Sequence, residues 1–167
     1  MKQHIAYFFM IAYLWVTIIM LGAFVLEVFM IYPNIFYDVP SSLETAMEFM
    51  VVASPSTFFP PIGFASWVMG LGALIFSWRV KSARYWILGS VLMMIVLGMI
   101  SMVFEWPRNE ILFIEGSSVH SVSFLQQTAQ EFLMINWLRV ALNTIGAIFV
   151  FTRFLKFYRH RWTLEER

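Results

Sequence analysis

Two charged residues lie inside apolar stretches of the chain, where charge is rare. Glu27 lies in the first of four apolar stretches and Arg139 in the fourth. At a rise of 1.5 Å per helical residue, Glu27 is about 6 Å from the C-terminal end of its stretch, and Arg139 is about 10 Å from the N-terminal end of its stretch. A charged side chain within a membrane costs roughly 2.5 to 3.5 kcal/mol on insertion scales, so it usually faces a bundle interior and marks a functional site. The chemistry open to these residues is an ion pair, with Glu105 as a competing partner for Arg139.

A polar stripe surrounds Arg139. Asn136, Arg139 and Asn143 are spaced i, i+3 and i+7, which places all three on one helical face. Because polar groups facing lipid are costly, we expect the stripe to face the bundle. Two interpretations stay open at this point. The stripe either hydrogen-bonds other helices around a structural salt bridge, or it lines a polar pocket that opens toward the outer compartment.

His120 is the one histidine away from the terminal segments, and several glutamates are near it in sequence. These are Glu105, Glu110, Glu115 and Glu131. A metal site needs three or four ligands at defined spacing, and no H-x-x-x-H, H-E-x-x-H or Glu-x-x-His motif occurs. The sequence also lacks cysteine, a phosphate-binding loop and a nucleophile elbow. We therefore predict no metal and no cofactor, with His120 as a weak metal candidate.

The composition determines the environment in which these residues act. Of 167 residues, 60% are hydrophobic and only 13% are charged, against about 25% charged in soluble domains. A chain this short cannot bury so much apolar surface in one core, so its solvent is lipid. The formal net charge of +1 gives no attraction to nucleic acid. Membrane lipids are the expected partners, and a homo-oligomer is left open.

Four apolar stretches are long enough to cross a bilayer, for which about 20 residues suffice. They cover residues 5–31, 58–78, 85–104 and 132–152. Every backbone polar group needs a hydrogen-bond partner within the protein in lipid, so the sequence predicts an all-α membrane protein. We expect one domain, residues 1–167, in which the four helices form an up-and-down antiparallel bundle. We expect Pro60 and Pro61 in the first turn of the second span, and a Thr128–Glu131 capping box before the fourth.

The basic residues predict the orientation. Nine of the eleven Lys and Arg residues lie at the chain start, between the second and third spans, and after the fourth: Lys2, Arg79, Lys81, Arg84, Arg153, Lys156, Arg159, Arg161 and Arg167. Of the other two, Arg139 lies inside the fourth span, and Arg108 is alone among the glutamates of an expected outer connection. By the positive-inside rule these segments are cytoplasmic, which predicts a multi-pass cell-membrane protein with both termini inside. In the first outer connection, Ser41 and Glu44 form a possible capping box and predict a short interfacial helix.

A set of proline, tryptophan and asparagine motifs lies near the outer ends of the spans. They are Tyr32-Pro33, Val39-Pro40 and Ser54-Pro55 with Phe58; Glu105-Trp106-Pro107-Arg108-Asn109; and Asn136-Trp137-Leu138-Arg139. In order and spacing, across nearly the whole chain, these motifs resemble those of a family of small four-span membrane proteins that includes the anthrone oxygenases.

The resemblance implies the four-span fold and a cofactor-independent oxygenation of a hydrophobic aromatic compound such as an anthrone. In that reaction Glu27 or Glu105 would act as the base. Arg139, together with Asn136 or Asn109, would stabilise the oxyanion. The expected substrate-binding residues are Asn109, Asn136, Asn143, Trp106 and Trp137.

A non-catalytic role is the alternative. The chain would then bind a lipid or another hydrophobic small molecule, or serve as an accessory subunit of a membrane complex, with the polar stripe holding helices together. Proton-coupled transport is disfavoured, because we expect no polar residues through the inner halves of the spans and therefore no pathway for a proton.

Overall fold

The computed structural model describes the backbone of residues 2–78 and 81–165, and the side chains of residues 4–78 and 84–156. Within those residues the chain is helical apart from short connections and contains no strand. Four helices are long and apolar enough to cross a membrane, and we call them spans 1 to 4: His4–Ile35, Pro55–Ser77, Arg84–Val119 and Val122–Lys156. The predicted all-α, multi-pass membrane protein is confirmed at this level.

The spans differ in how regular they are. Span 1 is formed by α1 (Lys2–Leu26), a π-helical turn (Glu27–Ile31) and α2 (Tyr32–Ile35). After α3 (Ser41–Phe49) comes α4 (Pro55–Ser77), which is span 2. Span 3 consists of five consecutive segments: α5 (Lys81–Ile100), a π-helical turn (Ser101–Glu105), α6 (Trp106–Glu110), another π-helical turn (Ile111–Glu115) and α7 (Gly116–Val119). Span 4 is the single helix α8 (Val122–Glu165). Spans 1 and 3 therefore run past their predicted ends at residues 31 and 104.

The four spans pack as a closed bundle. Span 1 contacts spans 2 and 4, and span 3 contacts the same two. Their facing sides form an apolar core that includes Tyr13, Met20, Phe24, Ile87, Val91, Met94, Leu97 and Val150. Large apolar side chains also cover the outside of the bundle, as expected for helices that are hydrophobic all round and face lipid.

A second apolar cluster closes the end of the bundle at which α3 lies, and we call it the cap cluster. It consists of Val28, Tyr32, Ile35, Val39, Leu43, Leu112, Leu125, Ala129 and Phe132. Two hydrogen bonds tie the surrounding segments together: Ser117 Oγ donates to Glu44 Oε1 at 2.5 Å, and Gln126 Nε2 donates to the Val39 carbonyl at 3.4 Å. Side chains from spans 1, 3 and 4 and from α3 thus seal this end.

Spans 1 and 3 carry the same irregularity at the same distance from a proline. In each, a five-residue π-helical turn is followed by an aromatic residue and then proline, as Tyr32-Pro33 and as Trp106-Pro107. Proline lacks an amide donor and its ring clashes with the carbonyl four residues earlier, so a wider turn before it relieves the clash. Each turn also contains a buried glutamate, and such turns recur at functional sites.

Span 2 begins earlier than predicted. Helix α4 starts at Pro55, because Ser54 accepts a hydrogen bond from the Thr57 amide while its own amide donates to Thr57 Oγ1 at 3.1 Å. This reciprocal capping leaves Pro60 and Pro61 inside the helix and not in its first turn.

Span 4 also begins earlier than predicted. Helix α8 starts at Val122, so Thr128 and Glu131 lie inside it and form no capping box. Thr128 Oγ1 donates to the Phe124 carbonyl at 2.8 Å, and Glu131 accepts from Arg108. The Thr128 hydroxyl is therefore satisfied by the preceding helical turn.

A helix forms at the predicted place between spans 1 and 2, but without the predicted cap. Helix α3 begins at Ser41 with no side-chain cap, and Glu44 accepts from α7 instead. Ser42 anchors this helix, because its Oγ donates to the Ile35 carbonyl at 2.7 Å and accepts from the Asp38 amide at 3.1 Å. The location of α3 at a membrane interface stays a prediction.

The cytoplasmic location of both termini also stays a prediction. Several basic residues on which it rests lie outside the described side chains: Lys2, Arg79, Lys81, Arg159, Arg161 and Arg167. Among those described, Arg84 Cζ lies 4.7 Å from the Tyr85 ring centroid and Lys156 Nζ lies 4.9 Å from that of Trp86. These cation–π contacts bring basic and aromatic residues together near the ends of the spans.

Candidate functional site

Arg139 is the centre of a buried polar cluster between the bundle core and the cap cluster. Only 2% of its surface is exposed. Its Nη1 donates to Glu105 Oε1 at 2.8 Å and to Asn136 Oδ1 at 2.6 Å. Asn109, half-buried one turn beyond Glu105, donates its Nδ2 to the same Oε1 at 3.3 Å. Glu105, and not Glu27, is therefore the direct partner of the buried guanidinium.

The guanidinium of Arg139 also lies against two aromatic rings. Its Cζ is 4.2 Å from the centroid of Phe24 and 5.4 Å from that of Phe59, and the two rings stack at 4.8 Å. Aromatic faces stabilise a desolvated cation. Arg139 Nε makes no hydrogen bond to any described group, so one donor of the buried guanidinium is unused.

Glu27 completes the cluster without pairing directly. Its carboxyl group is buried, and its electrostatic neighbours are Arg139, Glu105 and the Tyr32 hydroxyl. Neither Glu27 Oε2 nor Tyr32 Oη makes a hydrogen bond of full geometry to a described group. Two buried carboxyl groups thus share one guanidinium, and only one of them has a hydrogen bond with it.

The two asparagines of the stripe are buried, and they bond to different helices. Asn136 Nδ2 donates to the Phe132 carbonyl of its own helix at 2.9 Å. Asn143, oriented with Nδ2 toward span 1, donates to the Thr17 carbonyl at 3.3 Å and accepts from the Leu21 amide at 3.1 Å. Asn143 therefore links span 4 to the backbone of span 1, as expected of polar residues that join helices in lipid.

An apolar cavity of about 210 Å³ lies on one side of Arg139, between spans 2 and 3 and against span 1. Its wall is largely aromatic and apolar: Met20, Phe24, Phe59, Pro60, Gly63, Phe64, Ser66, Trp67, Met94, Leu97, Gly98, Ser101, Met102, Trp106 and Arg139. Arg139 is the only charged residue among them. Ser101 Oγ, like Arg139 Nε, makes no hydrogen bond of full geometry to a described group, although it lies near the Glu105 carboxylate.

The cavity differs from the outward-opening polar pocket that the sequence predicts. Of the candidate site residues, only Arg139 and Trp106 line it, and the polar groups of Glu27, Glu105 and the asparagines lie outside its wall. The cap cluster closes the end toward which the pocket was expected to open. Trp137 is exposed on the outside of the bundle, with its ring 5.2 Å from that of Phe29.

A second polar network, which hydropathy does not indicate, lies in the predicted inner half of the bundle. Tyr13 Oη and Ser90 Oγ lie 2.8 Å apart, and Ser90 Oγ donates to the Gly146 carbonyl at 2.8 Å. Thr17 Oγ1 donates to the Tyr13 carbonyl. The expectation that the inner halves lack polar side chains is wrong, because hydroxyl groups scattered in apolar helices barely lower hydropathy. These groups satisfy one another and join spans 1, 3 and 4.

His120 lies away from the polar cluster. Its Nε2 is 2.5 Å from Glu115 Oε2, and its ring is 4.9 Å from that of Phe124. Glu131, another glutamate near it in sequence, pairs with Arg108 at 2.7 Å. Among the described residues no three His, Cys, Asp or Glu side chains are grouped as a metal would require.

Comparison of the chain with protein-family models, with curated proteins and with solved structures finds no match. The resemblance to the anthrone oxygenases therefore rests on the motif residues alone.

Proposed function

We propose that this membrane protein binds an uncharged, hydrophobic aromatic molecule that carries an oxygen acceptor, with its ring in the cavity and its oxygen at Arg139. The observation that supports this most is an aromatic-lined cavity whose one charged residue has an unused donor, Nε. Buried donors without a partner are rare in proteins, so an unpaired donor indicates that an acceptor such as a water or a ligand binds there. Ligand sites commonly combine an apolar wall with a few such polar groups.

The cavity volume sets the size of the ligand. At about 210 Å³ it exceeds the roughly 150 Å³ engineered cavity that holds benzene, and it is smaller than the roughly 300 to 1,000 Å³ of drug-sized sites. A compound of two or three rings fits, with part of it at the open side of the cavity. The aromatic wall, which includes Phe24, Phe59 and Trp67, favours flat rings over a flexible acyl chain.

The charge of the cluster selects against an acid. Arg139 already has Glu105 at 2.8 Å, and Glu27 lies nearby. A ligand carboxylate would add a third acidic group to a single guanidinium in a desolvated site, which is unfavourable. A ketone oxygen accepts a hydrogen bond from Nε without adding charge. We therefore expect the ligand to be a ketone or a quinone.

Benzophenone photolabelling of the protein in nanodiscs tests this function, because benzophenone is an uncharged aromatic ketone. We expect saturable labelling. Fluorenone should suppress it at a concentration at least about tenfold lower than the concentration of fluorene that is needed, because only fluorenone has an oxygen that can accept from Arg139. A hydrogen bond from a charged donor contributes about 1.5 to 3 kcal/mol, and 1.4 kcal/mol corresponds to a tenfold difference in affinity. Fluorene-9-carboxylate should compete no better than fluorene. Labelling that does not saturate, or equal competition by all three compounds, contradicts the proposal.

Oxygenation is the second candidate function, and the Glu27 oxygen without a hydrogen bond favours it. In the reaction that the resemblance implies, the methylene group of an anthrone loses a proton to Glu27, and the charge moves to the carbonyl oxygen at Arg139. Dioxygen then oxidises this carbanion: one oxygen atom becomes the second carbonyl of the quinone, and the other leaves as water. Because neither carboxylate lines the cavity, binding alone fits the geometry better.

Oxygen uptake by the purified protein with anthrone tests this second candidate. We expect uptake to exceed that of the double variant Glu27→Gln/Glu105→Gln by at least about 100-fold, since a positioned base contributes about 10² to 10⁴. Uptake that the double variant matches would exclude oxygenation while leaving the binding function standing.

A further inference from the structure

The cavity opens through the side of the bundle. Four of its wall residues are also exposed on the bundle surface: Pro60, Phe64 to 66%, Met102 to 44% and Trp106 to 47%. They lie on spans 2 and 3, whereas wall residues such as Met20 and Met94 are buried. These exposed residues form the rim of a lateral opening between spans 2 and 3, which we call the portal.

Small residues leave this space open. Gly63, on the wall in span 2, has no atom within 4 Å of the position that a Cβ would take. Across the cavity, a Cβ at Gly98 of span 3 would collide with the Trp67 ring. The absence of a side chain at Gly63 keeps the space between the spans free, and the absence of one at Gly98 lets the Trp67 ring approach span 3 closely.

The portal lies at the depth of the hydrocarbon. Span 2 has 23 residues, which at 1.5 Å each is about 34 Å, little more than the roughly 30 Å of a bilayer core. Its wall residues run from Phe59 to Trp67, about 6 to 18 Å from the first helical residue, Pro55. Lipid therefore covers the portal, in the leaflet on the side of the cap cluster.

The cap cluster closes the route from water past the polar cluster. Between the polar cluster and the α3 end of the bundle lies the cap cluster, whose side chains are all buried. The hydrogen bond between Ser117 and Glu44 joins α7 to α3 across this end. A solute that enters from water past the cap cluster would have to separate these packed side chains, which a solute in the bilayer need not do.

We propose that the ligand reaches the cavity from the membrane, through the portal between spans 2 and 3. This inference rests on the proposed binding function. It adds that the ligand is a compound dissolved in the membrane, in the leaflet on the side of the cap cluster. The aromatic rings of Phe64 and Trp106 at the rim suit a flat, uncharged solute. A charged or water-soluble compound has no comparable route.

Cross-linked cysteine pairs distinguish the two routes, since the chain has no native cysteine. One variant carries Phe64→Cys and Met102→Cys at the portal, and its control carries Glu44→Cys and Ser117→Cys at the cap. Both are cross-linked in nanodiscs with the same flexible bis-methanethiosulfonate, and benzophenone uptake is followed by photolabelling at set times after mixing. We expect the portal cross-link to slow uptake at least about tenfold and the cap cross-link to leave the rate within about twofold, because only the first narrows the proposed route.

A second variant keeps the test independent of cross-linking. Phe64→Ala widens the portal and should speed uptake several-fold, whereas Ile75→Ala, at an exposed position further along the same helix and away from the cavity, should not. Uptake slowed by the cap cross-link and not by the portal cross-link would overturn the membrane route while leaving the binding function intact. Absence of saturable labelling in the unmodified chain would instead overturn the binding function itself.

Discussion

Replacing Arg139 with methionine is expected to destabilise the protein by about 3 to 5 kcal/mol, the usual effect of removing one partner of a buried ion pair. Glu105, which accepts from Arg139 at 2.8 Å, would be left as a buried charge with only the more distant Asn109 amide. Glu27 would lose its cationic neighbour as well. The measurement is the unfolding midpoint of the variant in detergent, compared with the unmodified protein.

A compensated variant separates this electrostatic effect from loss of packing. Arg139→Met/Glu105→Gln removes the unpaired charge together with its partner, so we expect it to recover most of the lost stability. Arg108→Met serves as the control, since its pair with Glu131 is partly exposed, and its midpoint should fall by less than half as much as that of Arg139→Met. Equal losses for Arg139→Met and its compensated form would show that packing dominates at this position.

Filling the cavity is expected to abolish ligand binding without unfolding the protein. At Gly63 a Cβ has no atom within 4 Å, so Gly63→Leu puts its side chain into empty space that the ligand would occupy. We expect saturable benzophenone labelling to fall at least about tenfold, while the unfolding midpoint stays the same or rises, because glycine is a poor residue for a helix interior.

Gly22→Leu is the matched control for this substitution. A Cβ at Gly22 also meets no atom within 4 Å, but this glycine lies on span 1 outside the cavity wall. It carries the same change in residue type within an apolar helix, so labelling should stay within about twofold of the unmodified protein. A Gly63→Leu variant that folds and still binds benzophenone normally would place the ligand elsewhere.

Hydropathy predicted the four spans because the cost of polar groups in lipid leaves few alternatives. The same cost identified Arg139, Glu27 and Asn136, which the fold buries in one cluster. Glu105 was harder to place, since it stands at the predicted mouth of span 3. The π-helical turn before Pro107 is part of a helix that continues to Val119, so Glu105 lies within the span.

The cavity could not be predicted in the same way. A phenylalanine that packs against its neighbours and one that lines an empty space, such as Phe59, look identical in sequence. The roles of Gly63 and Gly98 at the portal could not be predicted either, because scattered glycines are common in membrane helices and specify no packing partner. The polar stripe indicated a pocket among polar residues, whereas the space lies beside them and is lined by aromatic residues.

The central claim is that an uncharged aromatic ketone occupies the cavity beside Arg139, and the position of benzophenone adducts tests it most directly. Benzophenone in nanodiscs is photoactivated at a saturating concentration, and adducts on methionines are mapped by mass spectrometry. Met20 and Met94, which are buried, and Met102, which is exposed at the portal, line the cavity, whereas Met30, Met99 and Met134 are exposed on the bundle surface outside its wall. We predict adducts on the first three that excess fluorenone suppresses. Adducts confined to the exposed three, or adducts that fluorenone leaves unchanged, would contradict it.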